Sequence, residues 1–122
     1  GIEVLENTIQ GCPSGILVGG GRYNRIEGNQ IHDCLNASLM YDARGLGWYT
    51  KYINDPENEL WQRLWAMPIK ESPWTDRFPW LQNIPDDDPG IPKNVIIKDN
   101  LLVNTVEAQI EPNVVEYGNV EL

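Results

Sequence analysis

Asp42 and Arg44 flank Ala43 just after the apolar run Leu39-Met40-Tyr41, and a third chemical candidate, Glu111, lies far along the chain. Two carboxylates held at one place can serve as general acid and general base, and a basic group beside them can assist proton abstraction. These three residues are the candidate catalytic set. The plainer alternative is an Asp42–Arg44 salt bridge that fastens a loop. A one-residue shift in strand register would also turn Glu111 to the opposite face.

The other reactive side chains are weaker candidates. His32 is the only histidine, and therefore the only side chain whose ordinary pKa lies near neutrality. It stands beside Asp33 with no nucleophile next to it, which suits a surface pair. Gly19-Gly20-Gly21 resembles a phosphate cradle, but Arg22-Tyr23-Asn24-Arg25-Ile26 leads into a strand where a cradle needs a helix. Asp86-Asp87-Asp88 could attract calcium, although consecutive carboxylates project in different directions. HExxH, Walker and Cys/His ligand patterns are absent. No metal and no cofactor is expected.

Trp48, Trp61, Trp65, Trp74 and Trp80 offer flat apolar faces with a polar N–H, the shape that stacks on the C–H face of a sugar ring. Trp61 and Trp65 share one helical face and are expected to form a small core. Trp48, Trp74 and Trp80, together with Tyr41, are the candidate sugar platforms.

An internal repeat would position these residues. Val4-Leu5-Glu6-Asn7-Thr8-Ile9-Gln10-Gly11-Cys12 aligns with Ile26-Glu27-Gly28-Asn29-Gln30-Ile31-His32-Asp33-Cys34 at an offset of 22 residues. Gly15-Ile16-Leu17-Val18 and Ala37-Ser38-Leu39-Met40 keep that offset. Ile97-Lys98-Asp99-Asn100-Leu101-Leu102 is a third copy, with Thr105 at the cysteine position, and Glu116-Tyr117-Gly118-Asn119 starts a weaker fourth. Short alternating runs such as Arg25-Ile26-Glu27 and Gln30-Ile31-His32 read as strands with one buried face. The Asn between them suits a bend, where it tolerates a left-handed conformation. Stacked coils would pair each strand in parallel with its copy, giving an amide ladder of Asn7, Asn29 and Asn100, continued by Asn119. Ile9, Ile31 and Leu102 would form an aliphatic ladder beside it. Cys12 and Cys34 hold equivalent positions, and parallel side chains suit a disulfide poorly. Two buried, stacked free thiols are expected. By the same alignment, Glu111 falls next to Asp42.

This repeat resembles the right-handed parallel β-helix of the pectate-lyase-like superfamily over residues 1–42 and 94–122. The stretch Tyr41-Asp42-Ala43-Arg44-Gly45-Leu46-Gly47-Trp48, followed by a Trp/Pro-rich insertion, is similar to bacterial β-helix proteins grouped with polysaccharide-degrading enzymes. The resemblance implies an all-β fold of about three coils, a polysaccharide partner and a secreted or periplasmic location. It also implies a groove on the wall that carries Asp42. Whether such a chain is catalytic, or is a non-catalytic glycan-binding or self-associating module, stays open at this point.

Composition separates the insertion from the coils. Nine of the eleven glycines precede Trp48, while all five tryptophans and seven of the nine prolines lie from Trp48 to Pro92. The reading is one domain, residues 1–122, with a largely helical and loop insertion at about 43–93. A connection of that length needs structure of its own. Asp55-Pro56-Glu57 reads as a helix start, with Leu60, Trp61, Leu64 and Trp65 at helical spacing and Pro68 as the stop. Ser72-Pro73-Trp74 opens a shorter helix reaching Phe78, and residues 84–92 read as a rigid loop.

The net charge of −9 argues against a nucleic-acid partner, which needs Lys and Arg to replace counterions. No apolar run approaches the roughly 20 residues of a membrane span, and no signal-like segment opens the sequence, so no membrane partner is expected. A stack of three coils is near the minimum for a solenoid, and open coil ends invite edge pairing. The sequence therefore predicts a homo-oligomer, or a piece of a longer protein.

Overall fold

The computed structural model describes residues 1–122 and divides into two compact units. One comprises Gly1–Ala43 with Pro92–Leu122, and the other is Arg44–Ile91.

In the first unit the chain runs through β1 (Glu3–Leu5), β2 (Thr8–Gln10), β3 (Ser14–Val18), β4 (Arg25–Glu27), β5 (Gln30–His32) and β6 (Ala37–Tyr41). After the second unit it resumes with β7 (Ile96–Lys98), β8 (Leu101–Val103), β9 (Gln109–Ile110), β10 (Val115–Tyr117) and β11 (Val120–Glu121). Every pairing is parallel, and the strands sort into three sheets: β1-β4-β7-β10, β2-β5-β8-β11 and β3-β6-β9. Three passes of the chain each contribute one strand to every sheet in turn, and a fourth contributes to the first two, an arrangement compatible with a parallel β-helix.

The registers follow the repeat. Val4 pairs with Ile26 and Ile26 with Ile97, while Ile9 pairs with Ile31 and Ile31 with Leu102. Ile26, Ile31, Ile97 and Leu102 are at most 1% exposed, so these aliphatic ladders are the core of the unit. The amide ladder forms as well. Asn7 Nδ2 donates to Asn29 Oδ1 at 3.0 Å, Asn29 Nδ2 to Asn100 Oδ1 at 2.9 Å, and Asn100 Nδ2 to Asn119 Oδ1 at 2.9 Å. The same oxygens accept the backbone N–H groups of Asn7, Asn29 and Asn100. Asn29 Nδ2 also reaches Val4 O and Glu27 O, so an amide with no solvent contact has its hydrogen-bonding groups satisfied.

The left-handed residue at the bend is not the Asn but the one before it: Glu6, Gly28, Asp99 and Gly118 have φ from 55° to 68°. The Asn is thereby free to turn its amide inward. Gly11, Asp33 and Asn104 repeat the device before Cys12, Cys34 and Thr105.

The fourth pass breaks the hydropathy pattern. Glu116 pairs with buried Ile97, and Glu121 with buried Leu102, while Val115, Tyr117, Val120 and Leu122 are exposed. Asn119 holds this register through its bonds to Asn100, so amide pairing overrides apolar alternation here. Cys12 also departs from expectation. Both thiols are free, but Cys12 lies in the outermost coil and is exposed, whereas Cys34 is buried between coils.

The second unit contains α1 (Thr50–Ile53), α2 (Glu59–Trp65), α3 (Trp74–Arg77) and a 3₁₀ helix, Pro79–Asp86. α2 begins after Asn58, whose side chain accepts from Leu60 N at 3.0 Å. Asp55, the expected cap, instead accepts from Glu57 N in the preceding turn. The helix α1 has no counterpart in the sequence reading. The expected loop from Ile84 is helical to Asp86, with Pro85 inside, because a proline φ suits this tight helix. Gly45 and Gly90 meet so closely that a side chain on Gly45 would strike the Gly90 backbone, which closes the unit's two ends. Trp61 is buried and donates through Nε1 to Ile53 O at 2.9 Å, linking α2 to α1. Trp65 is 51% exposed and is not a core partner of Trp61.

Candidate functional site

In the third sheet Ile16 pairs with Leu39 and Val18 with Tyr41, and Tyr41 in turn pairs with Ile110. Leu39 and Tyr41 belong to the core cluster, with Val18 and Ile110 packed against it. Strand alternation then turns the next residues, Asp42 and Glu111, toward the other face. The ladder continues through them: Asp42 N donates to Val18 O at 3.1 Å, and Glu111 N to Tyr41 O at 3.0 Å. Asp42 and Glu111 thus occupy matching positions on neighbouring strands, about 4.8 Å apart along the stack. Both are half-buried. The shift that would have reversed Glu111 does not occur.

Arg44 opens the second unit, where its carbonyl accepts from Gly47 N and Tyr49 N, both at 3.1 Å. The candidate set is therefore divided: two carboxylates on the third sheet and a guanidinium at the start of the helical segment.

Tyr41 is not a sugar platform. It is 1% exposed, its hydroxyl donates to Gly20 O at 2.9 Å, and Asn24 Nδ2 approaches that hydroxyl at 2.6 Å. Burial raises the phenol pKa, partly offset by the Asn24 bond. Asn24 itself accepts from Ile2 N and donates to Gly20 O, so this buried pair braces the Gly19-Gly20-Gly21 corner. The corner assignment of those glycines agrees with the fold. Asn24 was missed because it falls outside the 22-residue asparagine register.

The other aromatic candidates lie in the second unit. Trp48 is 65% exposed and meets Tyr49 edge-on at 5.0 Å, and Tyr49 lies 4.9 Å from Tyr52. Trp74 and Trp80 are half-buried and share Phe78 as neighbour, at 6.1 and 5.9 Å. The sequence reading missed Tyr49 and Tyr52, although their spacing around a helix start was a usable signal.

Two polar clusters are structural. Arg25 bonds Glu27 at 2.8 Å and Glu3 at 3.0 Å, and Lys98 lies 3.7 Å from Glu27 and 3.9 Å from Asp99. These charges line an open hollow of about 500 Å³ on the first sheet. Arg25, then Lys98, holds the Glu27 carboxyl below its usual pKa despite some desolvation. Asp33 accepts from Asn104 Nδ2 at 2.7 Å and Gln10 Nε2 at 3.4 Å, which lowers its pKa, with His32 a minor contributor. Asp33 is thus a cross-coil tie rather than half of a proton relay.

No group of three or more His, Cys, Asp or Glu side chains could hold a metal ion. No helix is long and apolar enough to cross a membrane. Comparison with protein families, curated proteins and solved structures finds no match to this chain.

Proposed function

We propose that this chain is a carbohydrate-active, right-handed parallel β-helix of the pectate-lyase-like kind, working on a polysaccharide at the outer face of its third sheet. The observation that carries the reading is the register of β6 and β9, which brings Asp42 beside Glu111 from 69 residues away. A carboxylate pair there is suited to acid–base work on a glycosidic bond, and Arg44, at the start of the second unit, is the candidate basic residue. The exposed ring of Trp48 and the half-buried rings of Trp74 and Trp80 are the sugar platforms. A polymeric substrate of this size fits a bacterial protein acting in the periplasm or outside the cell.

Intrinsic tryptophan fluorescence during titration with plant, algal and host polysaccharides tests the reading. All five tryptophans lie in the second unit, so the reporters coincide with the proposed platforms. The expected result is a saturable change with one glycan class. Cleavage of that glycan should be abolished in Asp42→Asn and Glu111→Gln while binding persists. Silence across the panel would sink the proposal.

A second reading, a non-catalytic self-associating module, is favoured by the apolar side chains that β10 and β11 leave exposed. It requires a homo-oligomer. Sedimentation as a monomer at every concentration would remove it, and binding without cleavage would favour it.

A further inference from the structure

The corners that carry Cys12 and Cys34 begin alike on both coils and differ by one residue only after the cysteines, where Ser14 pairs with Ala37. Gln10 pairs with His32, then Gly11 N donates to His32 O at 3.0 Å, and one coil further Asp33 N donates to Val103 O at 3.1 Å. Gly11 and Asp33 are both left-handed, at φ 64° and 54°. Each thiol then points at the carbonyl two residues back: Cys12 Sγ at Gln10 O, 3.7 Å, and Cys34 Sγ at His32 O, 3.5 Å. Thiols that share this orientation on adjacent coils, stacked at one strand spacing, would set their sulfurs about 4.8 Å from each other. That separation is about twice a metal–thiolate bond of roughly 2.3 Å.

We propose that Cys12 and Cys34 form a two-coordinate thiolate site for a soft monovalent cation, Cu(I), held between adjacent coils. The ligand set selects the ion. Zinc and iron–sulfur centres need about four ligands, and hard cations need oxygens. No third metal-ligating side chain joins these two. Two thiolates alone suit a soft ion that is satisfied by linear coordination. On binding, two S–H bonds are lost and two Cu–S bonds form. Two protons leave to solvent, and copper enters and stays as Cu(I), so no electron is transferred. Thr105 takes the equivalent corner on the third coil and donates to Val106 O, which ends the sulfur column and limits the site to one ion per chain. Exposed Cys12 provides the approach, and buried Cys34 the shielded ligand.

The test is anaerobic titration of the reduced full chain with Cu(I) supplied from a chromophoric chelator, combined with X-ray absorption at the copper edge. Expected are one Cu(I) per chain, two sulfur neighbours, and protection of both thiols from alkylation. Cys12→Ala and Cys12→Ser, at an exposed position that leaves the core untouched, should each weaken binding at least about 100-fold. The proposal is overturned by binding that survives in both variants, by nitrogen or oxygen neighbours alone, or by one Cu(I) bridging two chains. Failure of wild-type protein to withdraw Cu(I) from the chelator would overturn it equally.

Discussion

In the stacked unit, buried positions repeat from coil to coil: Ile26 under Ile97, Ile31 under Leu102, Asn29 under Asn100. In the segment Arg44–Ile91 only Trp61 and Ile69 fall below a tenth exposed, and the helices are short, with a side-chain cap on α2 alone. The first region is held by pairing between residues 19 to 71 positions apart; the second by short-range bonds such as Trp61–Ile53, together with the meeting of Gly45 and Gly90 at its ends. Repetition lets a small unit close a core because each side chain needs only to match its copy. Without a repeat, aromatic bulk does the work, and much of that bulk stays at the surface. Chemistry divides along the same line, with the candidate carboxylates in one region and partly exposed aromatic faces in the other.

The contrast breaks most visibly at the centre of the stack. Ile31→Ala removes a fully buried rung and should cost about 3–4 kcal/mol in urea unfolding. Asn29→Ala should follow at about 2–3 kcal/mol, because Asn7 N and Nδ2, Val4 O and Glu27 O lose the groups Asn29 supplied, while Asn100 Oδ1 keeps only the Asn29 backbone N–H. Asn7→Ala, at the exposed end of the same ladder, should cost less than about 1 kcal/mol. Equal losses at the two positions would show that the ladder is not cooperative.

A smaller effect sharpens the comparison from the other side. Trp61→Ala should speed hydrogen exchange in α1 and α2, whose link is the Trp61–Ile53 bond, while the amides of Asn29 and Asn100 keep their protection. Simultaneous loss of both sets would mean that the two units unfold as one.

The smallest effect is a pH dependence. Glu27 has its folded pKa lowered from 4.5 by Arg25 and then Lys98. Its contribution is therefore present above pH 4.5 and is lost as pH falls through the lower folded value. Glu27→Gln should flatten the thermal-midpoint profile in that acid window and leave the neutral plateau nearly unchanged. An unaltered acid slope would exclude the Arg25 pairing as its source.

Much of the stack was legible because its physics is periodic. Asn7 and Asn29, with the rungs at Ile9 and Ile31, stand where the 22-residue spacing put them, and Asn100, Asn119 and Leu102 stand where the repeated motif put them. Features lying off the period were not legible. Tyr41 and Asn24 make a buried pair across a corner, and the left-handed position belongs to the residue before each ladder Asn. In the second unit, Asp55 was the expected cap, and the geometry of the turn gave that role to Asn58. Trp65 shares a helical stripe with Trp61, but apolar spacing says nothing about whether a partner surface reaches that far along the helix.

The return of the chain to the stack has a consequence for folding kinetics. β4 and β5 find β1 and β2 after 22 residues, but they find β7 and β8 only after 71. Closing the longer loop costs about 1 kcal/mol more in chain entropy if the intervening segment is still flexible. Helix formation within Arg44–Ile91, and closure of its ends at Gly45 and Gly90, shortens the effective connection before the third coil arrives. The tryptophan-rich segment thus sets the tempo at which the second half of the solenoid joins the first.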